Sequence, residues 1–454
     1  MFLLCHVAHA PPGSRTNRIV WYASRRWTIP VGLPIIGGVL SRWDDGLNKI
    51  LYISYDGVLE PLGESQVVSY LDRLAANNKI KLLSFERPKD LANRVRVSAM
   101  RDRLERHGIE WVWLRYHKWP PVVSTLFDIL IGVKLARAAC RSDGIHVVHA
   151  RGYVPSLIAI TARRGGGAKF LFDMRGFWVD EKVEAGHWKA GGILFHVGKW
   201  CEQRFFRAAD AIVSLTEAGV RTFSTGGYPV REGVPVVVIP TCVDLQRFTV
   251  EEKDSTLSSK LGISGADVIG CVGTMSGWYL RAEMLRFLAC ISQAFEQARI
   301  LIVTREDHDS LRRDCEAAGV PQDRLIIHSA QFADMPRVMS LFDAGVFFIR
   351  PSMSKRGSAA TKLAEFLACG VPVIINDGVG DSGGIVAQRR VGVVLDDLDE
   401  RGFDSSLAQI RTMLADSSVR GRCRQTAEEL FDLQQGAERY GHLYEQLTKA
   451  VSHQ

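Results

Sequence analysis

The chain has no Cys-x-x-Cys pair: its nine cysteines, an odd number, lie scattered from Cys5 to Cys423 over 454 residues. Neither a zinc site nor a disulfide framework follows from that pattern, and a reducing cytosol is the compartment it fits. A membrane-spanning run is also missing. Residues 29–40 are apolar for about a dozen positions, but two prolines and three glycines break the run, which is too short to cross a bilayer. Arg25 and Arg26 precede it as in a secretory signal, yet no clear small-residue cleavage site follows. No nucleic-acid module and no array of interleaved aromatic and basic residues is recognisable. The net charge of +7 therefore fits phosphates or an anionic membrane surface, and nucleic acid is not an expected partner.

What remains is an ordinary globular composition, 46% hydrophobic and 24% charged, at a length that calls for two or three domains. Residues 1–47 do not resemble the rest and are expected to be a poorly ordered extension. From Lys49 the strands KILYIS, IKLLSF, IEWVWL, HVVHA and KFLFDM alternate with helical stretches at 64–77, 91–108, 125–141 and 154–164. A helix at 200–208, the strand AIVSLT and a connector VVVIPTCVDLQRF follow. A second alternation then runs from DVIGCVGT through RILIVT, RLIIH, AGVFFIR and VPVIIN to VGVVLDD, and residues 426–450 read as helix. Repeated strand and helix with short connections predicts parallel sheets covered by helices, with ligands beyond the carboxyl ends of the strands.

The stretch 355–376, KRGSAATKLAEFLACGVPVIIN, is the strongest candidate for a site. Lys355, Arg356, Gly357 and Ser358 precede a helix, and Leu363, Phe366 and Leu367 recur at helical spacing. Backbone N–H groups at a helix start attract anions, glycine admits a ligand to the backbone, and Lys355 and Lys362 supply charge. Glu365, one turn in, is placed to accept hydrogen bonds from a ribose or sugar hydroxyl. The alternative is a solvated basic loop and a surface glutamate.

The order Thr361-Lys362-Leu363-x-Glu365-x-Leu367-Ala368-x-Gly370-x-Pro372-Val373 resembles the nucleotide-sugar-binding helix of glycosyltransferase family 4 (glycosyl transferases group 1). Glu365 matches the second glutamate of that family's pair, and Gly357 stands where the first would be. Pro240, Asp244 and Phe248 resemble the family's linker. The resemblance implies an α/β protein of GT-B architecture: two tandem Rossmann-like domains with a cleft between them and a C-terminal helix returning to the N-domain. The expected division is 48–235 for the acceptor domain, 236–425 for the nucleotide-sugar domain and 426–454 for the returning helix.

The loops after the strands supply the other candidates. Tyr55-Asp56-Gly57 and Pro61-Leu62-Gly63-Glu64 form either a phosphate or sugar loop or a turn with a helix cap; the resemblance implies that Gly63 approaches the donor's phosphates. His149 and Arg151 end a strand; His149 reads as a packed structural residue more readily than as a base. In FDMRGFWVDE, Asp173, Arg175, Asp180 and Glu181 interleave with Phe177 and Trp178, which fits an acceptor site with Asp173, Arg175 and Asp180 as its catalytic candidates, or a salt-bridge cluster. At 272–278 the family has an arginine and, a few residues on, a lysine; this chain has Thr274 and Ser276, so the charge facing the donor phosphates must come from Lys355, Arg356 and Lys362, with Arg281 a displaced candidate.

Two motifs read as decoys. Gly378-Val-Gly380-Asp-Ser-Gly383 satisfies a dinucleotide fingerprint, but about seven residues separate it from the strand at Val391, fewer than a crossover helix needs. Asp397-Leu398-Asp399 resembles a metal-binding pair but reads as a solvated loop. The expectation is a retaining, metal-independent glycosyltransferase without a cofactor, moving a sugar from a nucleotide-diphosphate-sugar to a glycan, lipid-linked or small-molecule acceptor in cell-surface polysaccharide synthesis. A nucleotide-sugar 2-epimerase, a catalytically silent nucleotide-sugar-binding protein and an NAD-dependent oxidoreductase are the alternatives. Residues 119–141 mix apolar and basic side chains as a segment lying on an anionic bilayer would, or as an ordinary packed helix would, so the expected location is cytoplasmic with contact at the inner face of the membrane.

Overall fold

The computed structural model describes residues 46–164 and 167–452. The extension expected over 1–47 lies, up to residue 45, outside the described residues. Seven strands, β1 (Asn48–Ser54), β2 (Asn78–Glu86), β3 (Glu110–Arg115), β4 (Val147–Arg151), β5 (Lys169–Asp173), β6 (Ala211–Ser214) and β7 (Val236–Val238), form a parallel sheet in the order β3-β2-β1-β4-β5-β6-β7. Six more, β8 (Val268–Val272), β9 (Arg299–Val303), β10 (Leu325–His328), β11 (Ala344–Phe347), β12 (Val373–Asn376) and β13 (Gly392–Leu395), form a second in the order β10-β9-β8-β11-β12-β13. Both orders reverse direction once, at β1/β4 and at β8/β11, and the crevice outside the strand ends at such a reversal is where doubly wound sheets bind ligands.

Strands such as VVHAR and VIGCV are buried at every position, as sheets covered on both faces require. The segment VVV, read from sequence as part of a connector, pairs in parallel with β6 and closes the edge of the first sheet. The first lobe therefore extends past residue 235.

The C-terminal region is two helices, Val419–Leu430 and Leu433–Ser452, where the sequence reads one. The break lies at the lobe crossing: Val243 N donates to Phe431 O at 2.8 Å and Leu433 N to Val243 O at 3.1 Å, so the two crossings of the chain bind each other. Phe431 packs in the second core, whereas Leu433, Ala437, Tyr440, Tyr444 and Leu447, at helical spacing, fill the first. His149 joins β4 to this helix, its Nδ1 2.7 Å from the Tyr444 hydroxyl. Burial lowers its pKa, so it is a neutral structural bridge.

Candidate active site

The helix Thr361–Ala368 is anchored by Leu363, Phe366 and Leu367, all buried, with Phe366 stacked 6.4 Å from Phe347 of β11. Gly345 is required beneath it, because a Cβ there would lie 2.6 Å from the Phe366 ring. No side chain caps the start of this helix, so the N–H groups of Thr361 and Lys362 have no side-chain partner there, and Ser358 and Thr361 are half-buried beside them. Lys362 reaches from the first turn to the loop after β8. Its Nζ donates to Thr274 O at 3.1 Å, lies 3.6 Å from the centre of the Tyr279 ring, and crosses Gly273, whose φ of +85° favours glycine. Burial pulls its pKa down to about 8. Glu365 follows on the same helix. Burial pushes its carboxyl up to about 7, against the attraction of Lys362 and Arg247.

Gly273 and Thr274 open into a cleft of about 380 Å³ lined also by Pro61, Val303, Thr304, Arg305, Glu306, Ala330, Phe332 and Met335. It lies beyond the carboxyl ends of β8, β9 and β10, with Pro61 of the first lobe on its far wall. Glu306 accepts from the Thr274 hydroxyl, from Met275 N at 3.1 Å and from Arg281 at 3.1 Å. Burial alone would raise its pKa, but Thr274, Ser276, Met275 N and Arg281 outweigh burial and hold it low. Thr274 and Ser276 are hydrogen-bonded to each other at 2.8 Å, and Arg281 is shared between Glu306 and Asp314. Glu306, Arg305, Phe332 and Arg247, whose guanidinium lies 4.0 Å over the Phe332 ring, were not singled out from sequence. Applying the strand-end rule to β9 and β10 as well as β8 finds the first three.

The loop holding Lys355 and Arg356 serves the other lobe. Lys355 is buried, 3.4 Å from Glu181 and 3.8 Å over the Trp278 ring. Glu184 accepts from Ser352 Oγ at 2.7 Å, from Ser354 N at 3.1 Å and from Ser354 Oγ. Thr216 Oγ1 donates to Arg356 O at 2.6 Å, while the Arg356 side chain is exposed. Asp381 accepts from Glu217 N at 2.6 Å and Ala218 N at 2.9 Å, capping the helix Glu217–Thr225 across the cleft. The lobes are thus latched by carboxylates placed on backbone N–H and hydroxyl donors.

Gly63 is buried where a Cβ would lie 2.1 Å from Gly57 O, so the position requires glycine, and Glu86 holds this loop by accepting from Val58 N and Leu59 N. Asp180 binds Lys199, which also binds Glu202 at 2.8 Å, a network apart from Asp173 and Arg175. The glycine decoy does open a helix, Ser382–Arg389, so a crossover helix exists where sequence spacing argued against one. Its glycines answer to packing: a Cβ on Gly380 would lie 2.3 Å from Ser358 O, and one on Gly383 2.2 Å from an Asp377 carboxylate oxygen. Asp399 caps the helix Glu400–Ala415 through Gly402 N at 2.8 Å. Among the described residues no group of three His, Cys, Asp or Glu side chains is arranged to hold a metal, and no helix is long and apolar enough to cross a membrane.

Two doubly wound lobes facing across a latched cleft, with an open pocket at the strand ends of the second, define the GT-B class. Residues 85–242 match the Glycosyl transferase 4-like domain and residues 266–413 match Glycosyl transferases group 1; the chain belongs to this glycosyltransferase family. No curated protein matches the chain. Similar solved structures include a glycosyltransferase from Rickettsia africae (16% identity, TM-score 0.66, covering 89% of this chain and 99% of that one). Sucrose-phosphate synthase from Thermosynechococcus elongatus aligns at 16% identity and TM-score 0.66 over 89% of this chain and 100% of that one. HepE from Anabaena, solved with UDP and glucose, aligns at 15% identity and TM-score 0.63 over 88% and 99%.

Proposed function

We propose that the protein is a retaining, metal-independent glycosyltransferase that takes its sugar from a nucleotide-diphosphate-sugar bound in the cleft of the second lobe. The observation that carries this reading is the placement of Lys362 and Glu365 together in the first turns of one helix. Lys362 lies on the backbone of the loop after β8, where a diphosphate would also receive N–H groups from Thr361 and Lys362. Glu365 accepts from ribose or sugar hydroxyls, and Val303, Thr304, Ala330 and Phe332 line the space for the base. The charge that grows on the departing nucleotide is stabilised by Lys362 and the helix start, with the acceptor hydroxyl held on the same face of the donor. No cofactor is required. Asp173 and Arg175 of the first lobe face the acceptor side. The acceptor is a glycan, a lipid-linked sugar or a small molecule, in cell-surface polysaccharide synthesis.

A catalytically silent nucleotide-sugar-binding protein is the second reading, favoured by the carboxylate of Glu306 beside Thr274 and by the pairing of Lys355 with Glu181. A thermal-shift screen of UDP, GDP, ADP, their sugars and nicotinamide cofactors tests the donor class, with UDP first because HepE was solved with it. Stabilisation by nicotinamide cofactors alone would overturn the reading, and hydrolysis of the sugar donor would exclude the silent alternative.

Contact with the inner membrane face belongs to the same proposal. The helix Pro121–Ser142 exposes Val122, Val123, Leu126, Phe127 and Leu130, with Trp119 just before it. The one acid between Arg115 and Ser142, Asp128, is buried against His117 and Tyr55. The helix Ile193–Ala208 likewise exposes Ile193, Leu194, Val197 and Trp200. Flotation with anionic but not neutral vesicles is expected; failure with both would remove this part.

A further inference from the structure

The carboxyl ends of β4 and β5, beside the β1/β4 reversal of the first sheet, bring Arg151 and Asp173 together as register partners, with Arg175 two residues on. Arg151 Nη1 lies 3.7 Å from Asp173 Oδ2, and Arg175 Nη1 lies 3.8 Å from Oδ1. Both separations exceed hydrogen-bond length. Their side chains are only 7% and 13% exposed. Arg151 Nε and Asp173 Oδ1 are buried without a hydrogen-bond partner, and Arg175 makes no hydrogen bond to any described residue. Arg151 Nε is thus a buried donor without a partner, and beyond the contact of Arg151 with Tyr52 the two guanidinium forks converge with donors left for a ligand.

The backbone adds a second, independent sign. Arg175 has φ +57°, a region that a side chain makes costly, and Gly176, at φ +118°, lies against Gly357 O and Ser358 Oγ of the other lobe. Strain of this kind gathers at ligand sites, where it aims a side chain. The surrounding charges leave an excess of cation in the buried cluster. Among the described residues, Asp173 is the buried carboxylate beside both arginines: burial alone would raise its pKa, but Arg175, His149 and Arg151 hold it low. His149 is neutral, Tyr52 is pushed up to about 12 by burial, and Asp56, which attracts Arg151, is exposed at the rim.

We propose that Arg151 and Arg175 form an anion site in the first lobe, and that the acceptor is an anionic molecule whose phosphate or carboxylate binds there. The planar forks match either group bidentately. The inference rests on the transferase reading for the word acceptor, but the anion site itself does not. On the transferase reading the donor's diphosphate is met by Lys362 of the second lobe, beside Thr274 O, and not by these arginines.

The test titrates inorganic phosphate, at constant ionic strength, into the protein saturated with UDP. Phosphate is expected to bind this complex. Arg151→Gln and Arg175→Gln should each weaken it about tenfold or more, as the loss of a charge-assisted bond implies, while UDP affinity moves less than about twofold. Arg175→Gly relieves the backbone, which offsets part of the lost attraction to Asp173, so it should lose phosphate and stay folded, which keeps the test sound should Arg151→Gln fail to fold. Equal phosphate binding in all variants would overturn the proposal. So would a matching loss of UDP affinity, or displacement of phosphate by UDP, because the arginines would then serve the donor. If the wild-type protein binds no nucleoside diphosphate, the donor reading fails, and the same titration on the nucleotide-free protein still decides the anion site.

Discussion

Replacing Lys362 by methionine should stabilise the free protein while weakening its hold on a nucleotide. In the folded chain burial moves the ammonium from 10.5 to about 8, even though Thr274 O lies 3.1 Å away and the Tyr279 ring 3.6 Å away. At about 1.4 kcal/mol per pH unit, that displacement amounts to about 3 kcal/mol against folding at neutral pH. Solvent reaches the half-buried side chain, and methionine can replace neither the hydrogen bond to Thr274 O nor the ammonium over the Tyr279 ring. The expected gain is therefore only about 1 kcal/mol, or roughly 1–3 °C in Tm. The unfolded chain keeps this proton up to about pH 10.5 and the folded one releases it near 8, so the penalty is full below about pH 8 and fades as pH climbs toward 10.5. The advantage of methionine should fade over the same interval. A diphosphate, in contrast, loses a charge-assisted hydrogen bond worth about 1.5–3 kcal/mol, about ten- to a hundredfold in affinity. Thermal melts from about pH 6 to about 10 and calorimetry with UDP read both effects. A variant less stable than wild type at neutral pH would refute the strained ammonium, and unchanged UDP affinity would remove Lys362 from the phosphate site.

Nucleotide affinity in the wild type should peak between about pH 7 and about pH 8, because Glu365 gains a proton below the first value and Lys362 loses one above the second; a flat calorimetric profile would contradict this. Glu184→Ala removes the acceptor of three hydrogen bonds across the cleft, so a larger radius of gyration by small-angle scattering and slower turnover are expected, and an unchanged scattering curve would rule the latch out. Tyr444→Phe leaves His149 Nδ1 buried without a partner and should cost about 1–3 kcal/mol of stability with UDP affinity intact, which chemical denaturation and calorimetry check together.

The sheets were legible because most strands announce themselves locally: a short apolar run, bounded by turns, alternating with helical periodicity. β7 was missed because three valines before Ile239-Pro240 are too few to separate a strand from a linker. The helix break at Phe431 was missed for a different reason. No proline or glycine marks it; the chain turns there because Val243, nearly two hundred residues away, supplies both hydrogen-bond partners. That Lys362 and Glu365 lie close together was legible in the sequence because one helix carries both. The partners of Lys355, Thr274 and Asp381 were not, since Glu181, Glu306 and the N–H groups of Glu217 and Ala218 come from elsewhere in the sequence, and only folding brings a carboxylate to a loop that looks free to bind phosphate. The glycine motif at 378–383 shows the converse, a ligand-like pattern whose glycines are dictated by contacts with Pro351, Ser358 and Asp377.

The most direct test of the account is a crystal structure of the protein grown with the nucleoside diphosphate that stabilises it most. The diphosphate is expected within hydrogen-bond distance of Lys362 Nζ and the N–H groups that start the helix Thr361–Ala368, with the ribose hydroxyls on Glu365 and the base in the cleft beyond β9 and β10. Density for the nucleotide at the 378–383 turn, or anywhere that leaves Lys362 and Glu365 untouched, would contradict it.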